Sequence, residues 1–234
     1  MPVLLLAQGD PAAKDKLRHA IEARYGLRPP AIDSLKIDFK GRSRIKLGPV
    51  TTWVPLDLTA YFRFPTAMRW DFIVKPMKLP IQRGVGAYDG ETYRTVRGNK
   101  APTVIAENDQ VSSMRRRLWA MASVLLTPLS DTFVKLTEIS NTSLEARNTR
   151  LDDAAEIILR PDNTIDHVKV VCLNPESGEQ QAFTIQLSTD MVTLNELIIP
   201  ARLTMAWDNA NAFEVEPVAV DNNPNLPDSI FTIE

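Results

Sequence analysis

Asp109–Leu129 reads DQVSSMRRRLWAMASVLLTPL and is the longest stretch of the chain with the periodicity of a helix. Almost everything around it alternates like strand. Ser112 or Ser113 stands as a candidate N-cap, Met114 and Leu118 lie four apart, and Arg115, Arg116 and Arg117 fall to the side. From Leu118 to Leu126 the residues are apolar nearly all round, the pattern of a helix covered on every side. About a dozen such residues cannot cross a bilayer, which needs roughly 20. Pro128 is expected to end the helix. A helix this apolar among antiparallel strands needs a concave sheet to sit in. The predicted fold is therefore mainly β: a strongly curved antiparallel sheet around this element, as a single domain over residues 1–234.

Upstream, Asp10-Pro11 supplies an N-cap and a first helical position; Leu17, Ile21 and Tyr25 repeat on one face, and Gly26 ends that helix. From Ser34 the period becomes two. Leu35, Ile37 and Phe39 alternate with charges, Ile45 and Leu47 continue, and Leu56, Leu58, Ala60, Phe62 and Phe64 oppose Asp57, Thr59, Tyr61 and Arg63. Pro65 ends that strand and MRWDFIV returns. Pro76 and Pro80 mark a loop or an interrupted edge strand, and Asp89-Gly90 is the strongest hairpin signal. Downstream, strands are predicted over 133–139, 155–159, 165–173, 182–187, 197–207 and 213–220, with Leu197, Ile199, Ala201, Leu203, Met205 and Trp207 as one long apolar row. That makes about ten or eleven strands in meander order. A closed lipocalin-like barrel is the structural rival, and a mid-chain rather than terminal helix weighs against it.

Net charge is −2, unevenly spread. Residues 1–117 hold 21 Lys and Arg against 11 Asp and Glu, net +10; the remainder is net −12. Either the two halves fold against each other and neutralise, or a basic rim faces anionic partners such as lipid headgroups. Nucleic acid is not expected, because the acidic half would repel phosphate and no basic stripe is interleaved with exposed aromatics. The apolar run Val3–Ala7 is too short for a signal segment and has no basic flank. The expectation is a cytoplasmic protein, or a periplasmic one whose export segment has been removed.

Catalytic chemistry is not legible. There is no nucleophile elbow, P-loop, dinucleotide fingerprint or H-E-x-x-H. Asp152-Asp153 reads as a solvated loop, His167 as a structural strand residue, and the single Cys172 as core. Two histidines far apart argue against zinc, so neither enzyme activity, metal nor cofactor is predicted. What the sequence has instead is apolar area, on the strands and on the helix at Leu118, Trp119, Met121, Leu125 and Leu126.

The order of elements carries a resemblance. An N-terminal helix ends near Tyr25-Gly26 and leads to strands around Phe39–Arg42; Tyr61–Pro65 pairs with Met68–Trp70, and the hairpin Tyr88–Tyr93 precedes the apolar helix. Leu197–Arg202, LIIPAR, lies among the later strands, and the chain closes on Asn225–Phe231. This resembles the bacterial lipoprotein-carrier superfamily typified by the periplasmic carrier LolA and its outer-membrane acceptor LolB. No lipobox cysteine stands near the start, so an anchored acceptor is not expected. The resemblance implies an open, half-closed barrel with helices over its concave face, an interior that takes acyl chains, and a lid that moves to release them. It implies a cavity lined by Leu56, Leu58, Phe62, Phe64, Leu118, Trp119, Met121, Leu125, Leu203 and Met205; Arg42, Arg44, Arg63 and Arg69 stand either at the lid or rim or as solvated charges on the outer face. The implied function is non-catalytic transport of a lipid or lipid-modified protein by a monomer, with a membrane surface or envelope protein as a further partner. The alternative is an interaction module of the envelope with a filled core and no cargo.

Overall fold

Fourteen strands form one continuous sheet whose two edges do not meet. The computed structural model describes residues 6–47, 50–75 and 81–233. In chain order the elements begin with β1 (Gln8–Gly9), α1 (Pro11–Tyr25), β2 (Ser34–Leu47), β3 (Val50–Arg63), β4 (Ala67–Val74), β5 (Gln82–Tyr88), β6 (Tyr93–Arg97) and β7 (Thr103–Ile105). Then come α2 (Asn108–Leu125), β8 (Val134–Ser140), β9 (Ser143–Asn148), β10 (Asp153–Leu159), β11 (Ile165–Leu173) and β12 (Gln180–Leu187). A small hairpin of β13 (Met191–Leu194) and β14 (Leu197–Pro200) precedes β15 (Leu203–Trp207) and β16 (Ala210–Asn222). The Pro76–Pro80 loop, and Val3–Leu5 of the N-terminal apolar run, lie outside the described residues.

Sheet order is β1-β8-β9-β10-β11-β12-β15-β16-β2-β3-β4-β5-β6-β7. Each half of the chain is thus a meander, and the halves join where β16 pairs antiparallel with β2. Basic and acidic residues of the two halves meet along this seam. Arg42 lies opposite Glu214 and binds it at 2.7 Å, Lys36 lies opposite Asp221 at 3.5 Å, and Lys40 lies opposite Glu216.

The helix α2 leaves β7 at one edge of the sheet and delivers the chain to β8, beside the other edge. Eighteen residues at 1.5 Å each make a rod of about 27 Å. It packs on β10, β11 and β12 and also on β4, β5 and β6, so the sheet curls around it from both sides. The helix starts at Asn108, one turn before the serines expected to cap it. Ser113 is inside, its hydroxyl donating to the Leu173 carbonyl at 2.8 Å. Leu126, at φ 67°, ends the helix, and Pro128 belongs to the 3₁₀ turn that follows.

More strands form than the periodicity suggests. The segment SLEARN (β9) has little strand propensity, yet it pairs with both β8 and β10 and buries Leu144, Ala146 and Asn148. The row expected over 197–207 breaks at Ala201-Arg202. There the Ala201 N–H donates to the Asp190 carbonyl at 2.8 Å and the Arg202 N–H to Ser188 Oγ at 3.0 Å. Asn195 and Glu196, both at positive φ, turn β14 back on β13 instead.

Candidate functional site: the concave face under helix α2

Alternation along β3 directs Val54, Leu56, Leu58, Ala60 and Phe62 to the face that α2 covers. Their partners on β4 are Phe72, Trp70 and Met68, opposite Leu58, Ala60 and Phe62. On β5 the next positions are Gly84, Gly86 and Tyr88. A Cβ on Gly84 would come within 2.3 Å of the Phe72 ring, and one on Gly86 within 2.4 Å of Trp70. The two glycines therefore let both rings lie across the neighbouring strand. Leu56, Ala60 and Phe62 are buried, whereas Leu58, Phe64, Trp70, Phe72, Met205 and Trp207 are only half-buried against the core. The concave face thus carries a strip of large apolar side chains that α2 does not fully cover.

The helix is tied down along its length. Near its start, Asp153 is 1% exposed and accepts from Arg115 Nη2 at 3.1 Å, with Arg116 Nε at 3.6 Å from the same carboxylate. The expectation of a solvated Asp152-Asp153 pair holds for Asp152 alone; Asp153 opens β10 and is buried because two arginines reach it from α2. At mid-helix, Trp119 Nε1–H donates to the Ala146 carbonyl at 2.8 Å. At the end, the buried Arg24 guanidinium donates to the Val124 carbonyl and the Tyr25 hydroxyl to the Leu125 carbonyl at 3.1 Å. Burial pushes the Tyr25 phenol up, with Arg24 pulling the other way, so it stays a protonated donor. These carbonyls belong to the last turn, where they have no partner within the helix and where a cation is favoured.

Arg117 faces differently. Its guanidinium carbon lies 5.8 Å from the Trp207 ring centre, and its burial pushes it below its ordinary range. Trp207 packs on Phe183 at 4.9 Å, and Tyr93 on Trp70 at 5.6 Å.

Of the ten candidate cavity residues, Leu56, Phe62, Leu118, Trp119, Met121, Leu125 and Leu203 are buried in one apolar cluster; Leu58, Phe64 and Met205 pack half-buried against it. Phe62 and Phe64 stack at 5.6 Å. The four candidate rim arginines alternate to the opposite face. Arg42 stacks over Trp53 at 4.7 Å besides binding Glu214, and Arg44 is exposed opposite Trp53. Arg63 binds Asp228 at 2.6 Å and covers the buried Phe231 ring at 4.7 Å, while Arg69 binds Asp71 at 2.7 Å and the Ile230 carbonyl at 3.0 Å. Arg63 and Arg69 therefore hold the C-terminal segment to the sheet. An open cavity of about 460 Å³ lies along β2–β6 and β16, and the side chains of Asp38, Asp57, Asp71 and Val96 in its lining alternate to the face opposite α2.

Arg24, Tyr25, Asp153 and Phe231 were not singled out as site residues from the sequence. Each acts on a partner far along the chain, and only Tyr25 and Phe231, in segments that carry the resemblance, have a local signal.

A scan of the sequence against protein-family models finds no match, and a search of curated proteins finds no relative. The solved structures do match. The open curved sheet with a helix on its concave face is similar in fold to solved structures of the LolA superfamily. A LolA superfamily protein from Nitrosomonas europaea superposes with a TM-score of 0.51 at 12% identity, covering 94% of this chain and 97% of its own. A structure described as an outer membrane lipoprotein-sorting protein domain from Vibrio parahaemolyticus matches with the same score, identity and coverage. A DUF1329 family protein from Desulfovibrio piger matches at 0.50 and 8% identity over 94% of this chain. The resemblance read from the order of elements thus holds at the level of the fold.

Proposed function

We propose that the chain binds an acyl chain in the concavity beneath α2 and carries it without turnover, as a single domain working as a monomer. The observation that carries this reading is the half-buried strip of Leu58, Phe64, Trp70, Phe72, Met205 and Trp207. Apolar area left partly open to water is an unsatisfied demand for an apolar ligand, and each CH₂ that covers it contributes about 0.8 kcal/mol. The proteins sharing the fold lend support, since one is described as lipoprotein-sorting. On this reading the periplasm is the compartment, and the cargo is a lipid or the lipid of a modified protein.

A second reading, an envelope interaction module with a filled core, is favoured by the seven candidate residues that are buried outright. Native mass spectrometry of protein purified from its own host separates the two. Co-purifying lipid, or saturable uptake of a fluorescent fatty acid, supports the carrier; a bare protein that takes up neither supports the module.

A further inference from the structure

Among the described residues, Arg117 on α2 has neither an anion nor a carbonyl of another element as its partner. Arg115 and Arg116 share Asp153, and Arg24 has the carbonyl of Val124. Arg117 hydrogen-bonds, among the described residues, only within its own helix, through Nε to the Ser113 carbonyl at 3.4 Å and Nη2 to Met114 Sδ at 3.2 Å. Among the described residues no carboxylate lies within ion-pair distance of it. Arg117 is half-buried; a guanidinium stays charged at neutral pH and carries five N–H donors, so even partial burial without a counterion is unfavourable.

The surroundings define what would complete it. Trp207 on β15 lies under the guanidinium, and the Tyr93 phenol on β6, raised by its burial, is pulled back by the Arg117 charge. β6 and β15 stand six places apart in the sheet, so only its curl brings both rings to one cation. Tyr93 leads to Trp70, and Trp70 to Phe72 and Leu58 by register. A charged head position thus sits at one end of the apolar strip.

We propose that Arg117 is a headgroup site: the cargo is an amphiphile whose carboxylate or phosphate pairs with Arg117 while its acyl chain runs along Trp70, Phe72 and Leu58. This rests on the carrier reading and adds to it the charge of the cargo. A lipid whose head oxygens are all in esters or amides would leave Arg117 unpaired.

The test is a binding titration of the purified chain with matched lipids, palmitate against methyl palmitate and phosphatidylglycerol against diacylglycerol. The anionic member of at least one pair is expected to bind roughly tenfold or more tightly, as a charge-assisted hydrogen-bonded pair should. Arg117→Gln should abolish the difference in affinity between the two members of that pair. Arg117→Lys should keep part of the preference, and it stands in if the glutamine variant does not fold. The pair that shows the Arg117-dependent preference identifies the anion as carboxylate or phosphate. Equal binding within both pairs, or a preference that survives Arg117→Gln, overturns the headgroup site while leaving the carrier reading intact. Wild-type protein that binds none of the four overturns both.

Discussion

Asp89 closes the turn between β5 and β6. Its carboxylate accepts the Glu91 and Thr92 N–H groups at 3.0 and 2.8 Å and the Arg94 guanidinium at 2.6 Å. Burial alone would push its pKa up, but these bonds outweigh it and bring it down to about 2. A folded-state pKa below the ordinary 3.8 contributes stability that is complete above about pH 4 and lost as pH falls toward 2. Urea midpoints of wild type and Asp89→Ala should therefore differ at pH 6 and converge near pH 2. The apolar residues divide on the same scale. Leu125 is 1% exposed, and Leu125→Ala should cost about 2–5 kcal/mol in denaturant unfolding. Leu58, on the half-buried strip, should cost less as alanine but weaken fatty-acid binding. The Asp89 turn was legible from Asp-Gly between alternating runs. Asp153 was not, because the arginines that bury it stand 37 and 38 residues earlier.

Among the elements, α2 combines an apolar body with ties at both ends. The distal tie, Arg24 and Tyr25 on the last carbonyls, comes from α1, which itself lies on β8 and β9. On the proposed carrier reading, α2 is released most easily at an end held by a few hydrogen bonds rather than at its buried middle. Arg24→Met should strip the Val124 carbonyl of its partner at a cost of about 1–3 kcal/mol. Hydrogen exchange should then speed up in the last turn of α2 and stay unchanged in β10. The helix itself was readable from its residues because it is amphipathic and then uniformly apolar. The strand β9 was unreadable for the opposite reason, since pairing on both sides overrides a sequence with no β-branched residue. The break after Pro200 was hidden too, as it is fixed by hydrogen bonds that the Ala201 and Arg202 N–H groups donate to Asp190 and Ser188, about a dozen residues earlier.

For the whole molecule, part of the charge asymmetry of the sequence is met at the seam between β16 and β2, and part where Lys16 binds Glu138 and Arg115 and Arg116 reach Asp153. The curl that follows brings β6 and β15 toward one helix and leaves the apolar strip between them. The four tryptophans report on this geometry. Trp70 and Trp207 lie half-buried on the strip, Trp119 is buried with its indole bonded to Ala146, and Trp53 alternates to the opposite face under Arg42. The direct measurement is fluorescence quenching by a fatty acid brominated along its chain, in variants that keep one tryptophan each. Acyl binding beneath α2 predicts saturable quenching of Trp70 and Trp207 with Trp53 unaffected; quenching of Trp53 alone, or of none, would contradict it.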